Sequence, residues 1–422
     1  MYRVLLFTSG LVLSAAAWGQ SPPLHPTALR FEAAIAQAVR AAPTVGAREF
    51  QTVAAREEAA RAAALPDPML TGGIDNLTAT GSNAFDFAAD DQTMKRVGIT
   101  QVFPARAKRQ ALQGAADRRI DEAQALVETE QLAVRRAAAQ AWVDLWAAER
   151  EAAELRRLRS QTGIAVSVAK ARLSGGTGTA VEALATRAGA LELENRISGA
   201  EAQVTAARDG LARWLDLSPE DVRIEGDPPD LMSLPVSEAT LLGSIDKQGP
   251  LLPWASREAV AEAEVTVARA QKKPDWSLGA SYGQRSGGRS DMVTLELSID
   301  LPLFTVNRQD RGIAARRADL DSVMAQHAEA RREQTETVRR LLAQWQGLRQ
   351  QVERKEQEML PLARDRAEIA VASYRGGGDL QPWLEARRDE IELHIEHARH
   401  LGELGRVWAA LAYLLPSPGE HP

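Results

Sequence analysis

The stretch "ITQVFPARAKRQ", Ile99 to Gln110, ends an alternating apolar run with a proline and then starts a long charged segment. The chain does this a second time in "LSIDLPLFTVNRQ", Leu297 to Gln309. Proline suits the end of a strand and the first turn of a helix, so each stretch reads as a strand-to-helix joint, at Pro104 and at Pro302. Arg106, Lys108 and Arg109 follow the first joint, and cations at a helix start are electrostatically unfavourable. That pattern predicts an external anionic partner for them, such as lipid headgroups at a membrane rim.

The joints belong to a duplication. "LPDPMLTGG" (Leu65–Gly73) matches "KPDWSLGAS" (Lys273–Ser281), "VGITQVFP" (Val97–Pro104) matches "LELSIDLP" (Leu295–Pro302), and "GAADRR" (Gly114–Arg119) matches "GIAARR" (Gly312–Arg317). "GTGTAVEALATR" (Gly176–Arg187) matches "GGGDLQPWLEAR" (Gly376–Arg387). Four matches in one order predict two repeats of helix, two strands, long helix, Gly-rich turn, helix. The repeats span 21–215 and 246–415, joined by a Pro-rich linker over 216–245 and followed by a tail, 416–422.

The strands are expected near 66–78, 92–103, 274–284 and 291–301. In the last, Val293, Leu295, Leu297, Ile299 and Leu301 alternate with Thr294, Glu296, Ser298 and Asp300. Trp276, Leu278, Ala280 and Tyr282 alternate with small or polar residues, and Val97, Ile99 and Phe103 share a face. Period-2 patterning over about ten residues is the signature of transmembrane barrel strands; a soluble hairpin with one buried face shows it too. The helices are long. No proline occurs from Ala105 to Leu173 or from Thr305 to Leu360, and a helix of nearly 70 residues is ~100 Å long. Leu126, Leu132, Trp142, Leu145, Trp146, Leu155 and Leu158 recur three or four apart, as a packed seam requires. The expected fold is therefore mainly α with a small β part: long antiparallel coiled-coil-like helices plus four strands.

Composition narrows the function. The 422 residues are 45% hydrophobic and 26% charged with a formal net charge of −6, which fits a folded chain and no nucleic-acid footprint. There is no cysteine, so disulfides, thiolate chemistry and an acylated N-terminal cysteine are excluded. No P-loop or HExxH is present, and the reading is not an enzyme, with no cofactor. "MYRVLLFTSGLVLSAAAWGQ" (residues 1–20) has the positive start, apolar core and small-residue end of a signal peptide, with cleavage after Ala17 or at Gly19–Gln20. The rest has no apolar run long enough for a spanning helix. Four strands cannot close a barrel, and open sheet edges cannot sit in lipid, so membrane strands must be pooled among copies. Three copies give twelve strands, an even number in the known range.

The chain from end to end resembles the TolC-type outer-membrane efflux channels, through its duplicated halves, the joints Pro104 and Pro302, and two Gly-rich hairpin tips. "LPDPML", "GIDNL", "MKRVGITQVFPARAKRQ" and "LPLFTVNRQ" are most similar to the heavy-metal branch with its CzcC-like and CusC-like channels. The resemblance implies a homotrimer in the cell outer membrane with a periplasmic helical extension. It implies a passive duct for heavy-metal cations, coupled to an inner-membrane resistance–nodulation–division (RND) pump by a periplasmic adaptor. Drug efflux and type I protein secretion are served by ducts of the same fold, and a periplasmic coiled-coil adaptor or scaffold is the competing non-channel class. The resemblance further places the hairpin tips at the periplasmic end, meeting the adaptor and closing the aperture: Gly175, Gly176, Gly178 and Gly376, Gly377, Gly378. Candidate aperture residues are Tyr374, Arg375 and Asp379, with Arg172 and Arg187 as partners; threefold repetition of Asp379 would favour cations. Solvated charges beside a turn are the plainer alternative. The loops Thr78–Asp91 and Arg285–Ser290 are expected at the opposite, exterior end. Finally, "ELHIEHARH" spaces His394, His397 and His400 three apart, a weak metal pattern because a helix turns His394 and His400 apart in angle.

Overall fold

A computed structural model describes residues 28–416, apart from 287, 377 and 380. The expected signal peptide and all of the tail beyond residue 416 lie outside the described residues. In chain order the elements are α1 (Phe31–Ala41), α2 (Pro43–Ala62), β1 (Met69–Asp75), β2 (Met94–Phe103), α3 (Arg106–Ser174), α4 (Ala180–Leu215), α5 (Glu238–Gly243), α6 (Leu252–Ala270), β3 (Trp276–Arg285), β4 (Met292–Ile299), α7 (Gln309–Arg354), α8 (Leu360–Arg375) and α9 (Gln381–Ala412). The molecule is mostly helical with one antiparallel sheet in the order β1-β2-β3-β4. Among the described residues no helix is long and apolar enough to cross a membrane.

The register puts Val97 opposite Tyr282, Ile99 opposite Ala280 and Phe103 opposite Trp276, and then Leu278 opposite Leu297 and Ala280 opposite Leu295. One sheet face is thereby apolar, and its side chains are exposed: Leu70, Val293 and Leu295 each show about three-quarters of their surface. The other face carries Thr71, Thr100, Ser277, Ser281, Thr294 and Ser298, with Arg96 paired to Asp75 at 2.9 Å. An exposed apolar face backed by a small polar face is inverted relative to a soluble hairpin, whose apolar face is covered.

The helices lie in the same order as the strands. Both α2 and α4 pack on α3; α3 also packs on α6 and α9; α7 packs on both of these, and α8 on α9. Thus α2 feeds β1, α3 leaves β2, α6 feeds β3 and α7 leaves β4, so a row of helices continues a row of strands. At 69 residues, α3 runs ~100 Å. The arm α7–α8 is interrupted. Pro361 has no N–H to give the carbonyl one turn back, and the helix answers with a π-turn over Lys355–Met359.

The core sits at the middle of the rod. Trp142 and Leu145 are fully buried, and Phe31 meets Trp142 edge-to-face at 5.4 Å. Indole N–H groups pin the Pro-rich connection between the repeats to this core. Trp146 donates to Asp227, Trp345 to the Leu231 carbonyl and Trp408 to the Ser233 carbonyl, while Trp142 holds the Leu29 carbonyl. A segment read from composition as a linker is a belt fixed across the helices.

One of the three cations after Pro104 requires a correction. Lys108 does not await an external anion: its Nζ donates to Asp275 at 2.7 Å, and Asp275 also accepts the Ala105 N–H at 2.8 Å. Burial works to raise the Asp275 carboxyl, but these two hydrogen bonds and the lysine charge outweigh it, leaving its pKa below the ordinary aspartate value.

Candidate functional site: the paired hairpin tips

Each tip follows from its sequence. After α3, Gly175 and Gly176 break the helix, Gly176 with φ +73°, and Thr179 restarts it through a capping box with Glu182. Gly178 folds back so that its N–H reaches the Arg172 carbonyl at 3.1 Å, where an added Cβ would fall 2.9 Å from Arg172 Cβ. The second tip repeats this. Gly378 N–H reaches the Ser373 carbonyl at 3.0 Å, and a Cβ would fall 2.9 Å from Ser373 Oγ. Turn closure alone therefore demands glycine at Gly178 and Gly378. Gly376 ends α8 beside them, and Gly377 lies outside the described residues.

The structure brings Arg172 and Tyr374 together. The guanidinium of Arg172, in the last turn of α3, lies 5.9 Å from the ring centroid of Tyr374, in the last turn of α8. Arg172 also donates to the Thr177 carbonyl, which ties it to its own tip. The two hairpins are thus linked at their ends by a cation–π contact. Sequence reasoning missed a third member. Trp383, in the first turn of α9, stacks on Tyr374 with centroids 5.6 Å apart and planes 14° apart. The signal was available in the aromatic pair flanking the Gly-rich turn. Arg375, Asp379 and Arg187 are exposed, and the Arg172 contact does not include them.

The three histidines are not gathered. Among the described residues no group of three or more His, Cys, Asp or Glu side chains is placed to share a metal ion. His397 Nε2 faces Glu356, on the π-turn, at 3.2 Å, and the Nδ1 atoms of His397 and His400 are each buried without a partner. Burial, followed by the charge of Arg150 and other nearby cations, pushes His397 down to about 4. Next to it, Lys355 is buried and donates to Glu396 at 2.8 Å.

Residues Gly279–Gly283 spell GxSxG, a nucleophile-elbow pattern, but they lie within β3 and not on a strand-to-helix turn. The pattern carries no catalytic geometry here.

Residues 251–415 match the family model "Outer membrane efflux protein". No curated protein sequence matches the chain. Several solved structures share its fold. The outer membrane protein VceC of Vibrio cholerae is 18% identical with a TM-score of 0.72, covering 90% of this chain and 94% of its own. CusC, described for transmembrane channel formation, is 14% identical with a TM-score of 0.75, covering 92% of each chain. The outer membrane channel MtrE of Neisseria gonorrhoeae, in its open state, is 15% identical with a TM-score of 0.69, covering 92% of this chain and 91% of its own. Residues 251–415 resemble the outer membrane efflux protein family, and the chain from first helix to last has the fold of these outer-membrane channels.

Proposed function

We propose that the chain is the outer-membrane exit duct of a tripartite efflux system, working as a homotrimer with a periplasmic adaptor and an inner-membrane RND pump. One observation carries the reading: the sheet and the helix row share one order and both end in open edges. Lipid does not tolerate an open strand edge, so three copies joined β4 to β1 close the sheet, and the helix rows close with it into a continuous tube. The exposed apolar sheet face then meets hydrocarbon and the small polar face lines the passage. Exposed apolar side chains on the outer helices, Phe50 and Val53 of α2 and Met324 of α7, fit such seams.

The cargo we assign is heavy-metal cations. This rests on the sequence motifs shared with the heavy-metal branch. The polar sheet face supports it: Arg96 is neutralised by Asp75, whereas Glu296 has no ion pair among the described residues. Three copies of Glu296 would make one acidic ring, which favours cations. The test has two arms. The protein should need detergent for extraction and then have the mass of three chains; release without detergent would return the periplasmic scaffold reading. A deletion strain should lose tolerance to divalent or monovalent heavy-metal salts while its drug tolerance is unchanged; the reverse pattern would overturn the cargo.

A further inference from the structure

The two joints have related sequences and different structures. After Pro104, α3 begins at Arg106; after Pro302, residues 303–308 are not helical and α7 begins only at Gln309. Leu303, Phe304 and Val306 are then 74%, 86% and 68% exposed. At the first joint the chain start is held by a carboxylate from the next strand: Asp275, just before β3, accepts the Ala105 N–H and the Lys108 ammonium. The Phe103 and Trp276 rings stack beside it at 4.2 Å. The second joint has no strand beyond β4 to supply such a group, and its Leu303 N–H turns back on the Leu301 carbonyl at 2.9 Å, a local γ-turn bond that a carboxylate from outside the chain would replace.

The duplication says what the missing group is. Matching "LPDP" to "KPDW" makes Asp67 the counterpart of Asp275, and matching the two prolines makes Leu303 the counterpart of Ala105. Asp67 is exposed, and among the described residues its carboxylate has no hydrogen bond or ion pair. It stands just before β1, which is the free edge of the sheet. Carrying the β2–β3 register over to a β4–β1 seam sets Ile299 opposite Leu70, Leu297 opposite Gly72 and Leu295 opposite Ile74. All of these belong to the apolar face, and Glu296 falls opposite Gly73, where there is room for it. A register slipped by one would put apolar against polar along the whole seam, so agreement of both faces is a check that chance does not guarantee.

We infer that Asp67 of one copy caps the second joint of its neighbour, accepting the Leu303 N–H as Asp275 accepts that of Ala105, and so pins the seam between copies at the membrane rim. The inference rests on the trimeric reading above. Val306 replaces Lys108, so the seam lacks that ammonium, and Arg308 is the nearest cation of the joint to answer Asp67.

The absence of native cysteine makes the test clean. The full chain carrying Asp67→Cys with Leu303→Cys is treated in outer membranes with a short thiol cross-linker, beside each single variant and beside a Leu70→Cys with Ile299→Cys pair. The expected product of the first pair is a covalent trimer on a denaturing gel, absent from the single variants. In parallel, Asp67→Ala should speed dissociation of the detergent-purified trimer by about fivefold per seam, the size of one net hydrogen bond, and Asp67→Asn, which keeps an acceptor, by less. Cross-linking at Leu70 and Ile299 without cross-linking at Asp67 and Leu303 would overturn the cap and leave the trimer standing. Wild-type protein that never has the mass of three chains would remove the trimeric reading itself.

Discussion

Arg172 lies over the face of Tyr374, and Trp383 stacks against the same ring, so one tyrosine couples the end of α3 to both ends of the second hairpin. A cation–π contact at a partly exposed site is worth ~0.5–1 kcal/mol, and if the tips close the aperture, as proposed from the sequence, that is enough to bias it without locking it. In planar bilayers, Arg172→Ala and Tyr374→Ala are expected to raise single-channel conductance, whereas Tyr374→Phe keeps the ring and should behave as wild type. Unchanged conductance in both alanine variants would remove the tips from the gate. Arg375→Ala and Asp379→Ala separate local from ring effects: the reading of Asp379 as a cation-favouring ring fails if its alanine variant leaves ion preference untouched.

The buried pair Lys355–Glu396 predicts an asymmetric result. Removing the acid leaves an ammonium that is only 7% exposed without its partner, while Glu396 is half exposed and rehydrates. Glu396→Gln should therefore cost about 1.5–3 kcal/mol, as for a lost charged hydrogen bond, and Lys355→Met should cost less. Thermal unfolding of the two variants side by side measures the difference; equal losses would mean that the pair is not desolvated as described.

His397 predicts a response to acid. Its folded pKa of about 4 lies below that of an ordinary histidine, so between the two values the unfolded chain binds the extra proton. Stability from this residue is complete at neutral pH and is lost as pH falls through about 6.5 toward 4. The groups around it are Glu356 and Lys355 on the π-turn, Arg150 on α3, and His394 and His400 on its own helix. His397→Gln should flatten the melting temperature against pH over that range, although the carboxylates still titrate at its acid end. Parallel curves for the variant and the wild type would refute the assignment.

Packing of α9 on α3 predicts a sign change between two glycine substitutions. A Cβ on Gly405 would meet Val143 Cγ1 at 2.4 Å, so Gly405→Ala should destabilise by about 1–3 kcal/mol despite better helix propensity. Gly189, at an exposed position of α4, has nothing within 4 Å, and Gly189→Ala should stabilise by up to about 1 kcal/mol. Melting temperatures that move in the same direction would contradict the close approach of these helices.

Much of the fold was legible because it repeats. Alternation through Val293 to Ile299 marked the strand and its apolar face, without deciding whether that face met lipid or a core, and the match of Pro104 with Pro302 tied each strand to its helix. What escaped was set by partners far away in sequence. Lys108 looked like a lipid-facing cation because Asp275 stands 167 positions along the chain. Trp383 looked like an ordinary helical aromatic until Tyr374 was placed beside it. The segment over 216–245 read as loose because composition reports prolines and not the indole donors that hold the Leu231 and Ser233 carbonyls. The π-turn followed from Pro361, but a proline-free run ending at Leu360 gave no reason to place the break before that proline.

That break makes the two arms of each chain mechanically unequal. The α3 arm is one unbroken α-helix, while the α7–α8 arm passes through a π-turn at Lys355–Met359 set against α9, the kind of local unwinding at which helices kink. In the proposed ring of three chains, unbroken and π-interrupted staves alternate. A tube that is nearly sixfold in outline would then yield in only three places, at alternate positions round its rim.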